Sequence, residues 1–163
     1  MNRTIQIAPV RKTIVIDATP ERTFAVFTAG IDRWWPRGHG IGAAPLVKSV
    51  IEPFVGGRWY TTHENGAEVT VGHVRAWEPP GRFVVGWEIT PDWKPEPRVE
   101  LSSEVEVRFL PEAGGRTRLE LEHRNFERMG AAAGETMRKG VEGGWPRILE
   151  LLAAEAAQSA RAS

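Results

Sequence analysis

From Leu46 to Phe126, apolar and polar residues alternate with a period of two. A strand with one buried face requires such alternation, because successive side chains leave it on opposite sides. Turn signals at Val55-Gly56-Gly57, Asn65-Gly66, Pro79-Pro80-Gly81 and Ala113-Gly114-Gly115 divide the stretch. They predict six strands, approximately Leu46 to Phe54, Arg58 to Glu64, Glu68 to Glu78, Arg82 to Thr90, Glu100 to Leu110 and Arg116 to Asn125, joined as an antiparallel meander. The one long connection, Pro91 to Arg98, carries three prolines.

Upstream, the β-branched run within Lys12 to Ala18 predicts a first strand. A helix follows it, with Thr19 as N-cap, Pro20 at the first helical position, Glu21 in the first turn, Phe24 and Phe27 on one face and Gly30 at the end. Ile31 to Trp35 predicts a second short helix stopped by Pro36, and Arg37 to Pro45 a glycine-rich loop. Downstream, Met137, Val141, Trp145, Ile148, Leu149 and Leu152 form one stripe of a long terminal helix. Gly140, Gly143 and Gly144 remove volume from that helix, and Pro146, which lacks a backbone donor, predicts a kink.

Pairing His63 with Glu68 across the Asn-Gly turn sets Trp59 opposite Gly72 and Thr61 opposite Thr70 on one inward face. The next turn sets Val74 and Ala76 beside Val85 and Trp87, with Arg58, His73, Arg75 and Glu88 turned outward. In the last hairpin Ser103 and His123 face inward opposite each other, while Glu104 to Arg108 and Arg118 to Glu122 present a solvated face with cross-strand ion pairs.

Composition narrows the partners. The 163 residues make one domain, residues 1–163 with a core of about 11–157, long enough to bury roughly 70% of the unfolded surface. Twenty-one basic residues balance twenty-one acidic ones, so there is no net field to attract nucleic acid or an anionic membrane. The absence of cysteine excludes disulfides, thiolate nucleophiles and cysteine-ligated metals. No apolar run approaches the roughly 20 residues of a membrane span, and Met1 to Val10 lacks a signal-peptide core. A cytoplasmic protein is expected.

The order of strand, two short helices, six-strand meander and long C-terminal helix resembles the START-like helix-grip superfamily, also called SRPBCC, an α+β fold. Ala18-Thr19-Pro20-Glu21-Arg22-Thr23-Phe24, Trp34-Trp35, Val55-Gly56-Gly57-Arg58-Trp59-Tyr60, Gly72 and Ala76-Trp77-Glu78-Pro79-Pro80 are similar to the branch of the heat-shock-protein-90 ATPase activator homologues. The resemblance implies a curved antiparallel sheet gripping the helix, with an elongated cavity between them. Functions within the superfamily are diverse, so the residues must carry the rest.

Seven tryptophans are present, and Trp59, Trp87 and Trp145 converge from sheet and helix. Adjacent helical residues diverge by about 100°, so of Trp34 and Trp35 one anchors its helix and the other borders the cavity entrance. Trp93 is a rim residue of the proline-rich connection. The ligand-lining candidates are Trp35, Trp59, Thr61, Trp87, Ser103, His123, Met137, Val141 and Trp145. His39, His63, His73 and His123 show no metal-ligand spacing, so neither metal nor cofactor is expected. His123 pairs with Ser103 or a backbone carbonyl, and His63, beside a turn, is exposed. No nucleophile elbow or phosphate loop occurs.

The leading expectation is a module that binds a small, largely apolar, aromatic or lipid-like molecule. A cyclase or dehydratase, with His123 or His63 moving a proton, is the alternative. The family name adds a third, a co-chaperone stimulating a heat-shock ATPase, for which the balanced charge offers no docking patch. Exposed Tyr60 and Trp77 leave monomer and homodimer both open.

Overall fold

The computed structural model describes residues 6–39 and 41–162. Strand β1 (Val10–Ile16) leads into helices α1 (Pro20–Phe27) and α2 (Ile31–Trp34). Six strands follow: β2 (Leu46–Ile51), β3 (Arg58–His63), β4 (Glu68–Glu78), β5 (Arg82–Trp87), β6 (Ser103–Glu112) and β7 (Arg116–Arg124). Helix α3 (Ala131–Ala162) closes the chain, running through Pro146 as one element. Single 3-10 turns lie at Arg37–His39, Val99–Leu101 and Phe126–Met129. The seven strands form one antiparallel sheet in the order β1-β7-β6-β5-β4-β3-β2, so the first strand closes the meander beside the last.

Local chemistry sets the element boundaries. The Thr19 side chain accepts from the Arg22 amide and Pro20 opens α1, whose Phe24 and Phe27 are buried against Phe83 and Phe109. Asn125, at φ 68°, turns the chain out of β7; asparagine tolerates this left-handed conformation better than most residues. The stripe of α3 then covers the concave side of the sheet, with Met137, Val141, Trp145, Ile148, Leu149 and Leu152 all buried.

Three irregularities in the ladder change the expected register. In β4, Val71 falls between the pairs Trp59–Gly72 and Tyr60–Thr70, so Thr61 lies opposite Val69 rather than Thr70, and Thr62 takes the place of His63 opposite Glu68. Arg75 is likewise unpaired between Val74–Val85 and Ala76–Val84. A bulge gives one strand two residues against one and reverses the facing beyond it. Trp77 therefore packs edge-on against Phe24 at 5.1 Å instead of standing on the outer surface. Tyr60 does stay outside, under the Arg58 guanidinium at 4.3 Å. In β2, Val47 is the unpaired residue.

The outer face of β6 is less wet than alternation alone implies. Glu106 is buried, with Arg82 and Arg124 bonded to its carboxylate, and Glu104 accepts from Arg75 at 2.7 Å and from Arg124 at 2.8 Å. Burial by itself would push the Glu106 carboxyl up, but the Arg82, Arg124 and Arg108 guanidiniums outweigh it and hold the carboxyl down at about 2.

Candidate functional site

Between the sheet's concave face and α3 lies a cavity of about 390 Å³. Its floor is aromatic. Trp35 contacts Trp59 at 4.9 Å and Trp145 at 6.5 Å, and Trp87 contacts Trp145 at 5.7 Å. Trp34 turns the other way, packing on Phe27 and donating its indole N–H to the Val26 carbonyl at 2.8 Å, so the pair divides between anchor and wall. Ile41, Val71, Ile89, Val141 and Ile148 complete the apolar lining.

Of the residues expected at the site, Trp35, Thr61, Trp87, Val141 and Trp145 line the cavity. Trp59, Ser103, His123 and Met137 are buried behind that surface. Trp93 joins the lining from the proline-rich connection. It is half-exposed at φ 63°, with a Thr90 carbonyl accepting its amide, and its ring lies so close to α3 that a Cβ on Gly140 would meet it at 2.9 Å. Gly140 is thus the seat of the Trp93 indole. No sequence pattern announces this contact, because the loop and the helix lie far apart in the chain.

His123 is fully buried, and its partners fix its state. Trp145 donates its indole N–H to Nδ1 at 3.1 Å; an indole can only donate, so Nδ1 is bare. The proton of the neutral ring sits on Nε2 and is donated to Ser103 Oγ at 2.8 Å. Ser103 faces Trp87 in the ladder, not His123, and reaches the ring diagonally. Burial drives the His123 pKa down to about 3. With its one lone pair accepting from Trp145 and its other ring nitrogen bonded to Ser103, His123 joins helix to sheet behind the cavity surface.

His63 is buried as well, not exposed. Its Nδ1 lies 2.8 Å from the Ala44 carbonyl and its Nε2 2.8 Å from Thr61 Oγ1. His73 sits outside, donating its amide to the buried Glu88 carboxylate at 2.8 Å. His39 lies in the 3-10 turn of Arg37–His39. Among the described residues no three side chains of metal-ligating type gather. The buried side-chain N or O atom without a partner among them is the indole nitrogen of Trp87, in the cavity wall.

Two of these groups predict an acid limit. An unfolded histidine titrates near 6.5 and an unfolded glutamate near 4.3, whereas folded His123 and Glu106 titrate at about 3 and about 2. Between each pair of values the unfolded chain binds more protons, so stability falls as pH falls, by at most roughly 1.4 kcal/mol per pH unit per group. The denaturation midpoint should therefore decline from about pH 6.5 downward and more steeply below about 4.5. A His123→Gln variant should lose the upper part of this decline, as equilibrium unfolding at a series of pH values will show.

The curled sheet closed by one long helix over an aromatic cavity defines a START-like helix-grip protein. The profile of the activator of Hsp90 ATPase homolog 1-like proteins matches residues 17–157, and the chain belongs to that family. No curated protein matches it. Among solved structures it is similar to an anthrahydroquino-γ-pyrone synthase, Txn09, at 35% identity, covering 91% of this chain and 97% of that one with a TM-score of 0.65. It is also similar to CalC, a self-sacrificing resistance protein from Micromonospora echinospora, at 32% identity, with coverage of 93% and 95% and a TM-score of 0.67. Protein MLL2253 from Mesorhizobium loti shares the fold at 23% identity, with coverage of 90% and 95% and a TM-score of 0.65. No described helix is long and apolar enough to cross a membrane.

Proposed function

We propose that this protein binds a small, largely apolar, aromatic molecule in the cavity between sheet and helix. The observation that carries the reading is an interior space of about 390 Å³ that the surrounding indoles line without filling. That volume lies within the range of small-molecule sites, which are mostly apolar with a few placed polar groups. The unpartnered Trp87 N–H supports it, since a buried donor left without an acceptor costs about 1–3 kcal/mol, which a ligand oxygen would offset. The relative at 35% identity is named for making an anthrahydroquino-γ-pyrone, an aromatic compound.

A second reading, a cyclase or dehydratase acting within the same cavity, is favoured by that relative's being a synthase and by the Thr61–His63 contact at the wall. It requires the first, because the substrate would occupy the same space.

Titration with the neutral fluorophore N-phenyl-1-naphthylamine tests the binding reading. Saturable one-to-one binding in the micromolar range is expected. Gly144 provides the control: it lines the cavity, and a Cβ built there meets nothing within 4 Å. Gly144→Leu should fill the space and weaken binding at least tenfold while the circular dichroism spectrum is kept. Binding that never saturates, or that is indifferent to Gly144→Leu, would overturn the proposal.

A further inference from the structure

Three contacts hold the His63 ring in one orientation. The Ala44 carbonyl lies 2.8 Å from Nδ1. Gly42 packs against the ring itself, since a Cβ there would fall 2.7–2.8 Å from Cε1, Nδ1 and Nε2. Thr61 Oγ1 lies 2.8 Å from Nε2. The loop after α2 thus folds onto a histidine that sits behind Thr61, the one hydroxyl-bearing side chain of the cavity wall among the described residues.

Donor and acceptor roles follow from chemistry. A carbonyl only accepts, so Nδ1 carries the proton and donates it to Ala44. In the neutral ring Nε2 is then bare, and the hydrogen bond at 2.8 Å runs from the Thr61 hydroxyl to Nε2. A threonine hydroxyl has one hydrogen and two lone pairs. With the hydrogen committed to His63, the oxygen can only accept from anything else.

We infer that Thr61, polarised by His63, is the specificity-determining acceptor of the cavity, and that the preferred ligands are aryl compounds bearing a hydroxyl group that donates to Thr61 Oγ1. The inference rests on the binding reading above and narrows its ligand class. The indole walls supply the aryl preference and the committed hydroxyl supplies the donor preference. A hydroxyl can accept from the Trp87 N–H and still donate to Thr61, whereas an aryl ether of the same shape can only accept and sets oxygen against oxygen at Thr61.

Isothermal titration calorimetry with 2-naphthol and 2-methoxynaphthalene reads this out as the ratio of their affinities, compared between wild type and variants so that the probes' different solubilities cancel. The ratio favouring naphthol should fall about three- to tenfold in Thr61→Val, the value of one hydrogen bond, and be kept in Thr61→Ser. In His63→Phe the Thr61 hydrogen is released to point at the ligand, so methoxynaphthalene should gain relative to naphthol. An unchanged ratio in folded Thr61→Val or His63→Phe overturns the inference and leaves the binding reading standing. Failure of wild type to bind either probe overturns both. A measurement on wild type alone guards against variants that do not fold: nitrogen-15 imidazole spectra should show the His63 proton on Nδ1 with Nε2 bare, and the opposite tautomer would refute the assignment.

Discussion

Truncating Trp145 to alanine is expected to cost about 3–5 kcal/mol, the range of a large aromatic removed from a packed core. The ring lines the cavity, yet it is only 1% exposed, because Trp35, Trp87 and His123 surround its remaining faces. Its loss also strips His123 Nδ1 of its donor. A residue that merely bordered solvent would cost nearer 1–2 kcal/mol, since much of its surface would never have left water. For a chain of this size each kcal/mol shifts Tm by roughly 2–4 °C, so a drop of order 10 °C is expected, together with weaker binding of phenylnaphthylamine. Trp145→Phe should recover most of the packing but not the hydrogen bond. A small Tm change in Trp145→Ala would contradict the packing described.

Gly72→Ala should be more damaging still. A Cβ at Gly72 would lie 1.6 Å from the Gly86 carbonyl oxygen, a backbone atom on the neighbouring strand that no rotamer change can move. Gly86 is held on its other side by pairing with Glu104, and the Glu88 amide donates to the Val71 carbonyl at 2.7 Å, so β4 and β5 have little freedom to separate. A loss above about 4 kcal/mol is expected, a size reserved for a few mechanisms, overpacking among them. Soluble yield and thermal melting will decide: a Gly72→Ala protein melting within a few degrees of wild type would show that the two strands are not so close.

Much of this architecture was legible because it rests on short-range signals. The Thr19-Pro20 cap, the paired-glycine turns and the 3.6-residue stripe of α3 each state their element locally, and the helix-grip resemblance assembled them. Facing was harder to read. The unpaired Val71 and Arg75 carry no signature, since a valine or arginine in a bulge looks like one in a regular strand, and the facing of Trp77 slipped with them. The site was half legible for a related reason. Rings on inward strand positions could be named, but which of them reach the cavity surface and which stand behind it depends on depth, which periodicity does not encode. The burial of His63 has no local signal, because it comes from the loop residues Gly42 and Ala44, about twenty positions upstream, and only tertiary closure brings them together.

The indole of Trp93 leaning on Gly140 has a kinetic consequence. Its loop is tied mainly to itself, through Thr90 with Lys94 and the single bridge of Ile89 with Pro95, so swinging the ring aside breaks no contact of the central sheet. Loop motions of this kind run on nanosecond to microsecond timescales, far faster than global unfolding. For a ligand held as proposed above, the exit rate is expected to respond to substitution at Trp93, while the equilibrium stability of the fold stays where the sheet and helix set it.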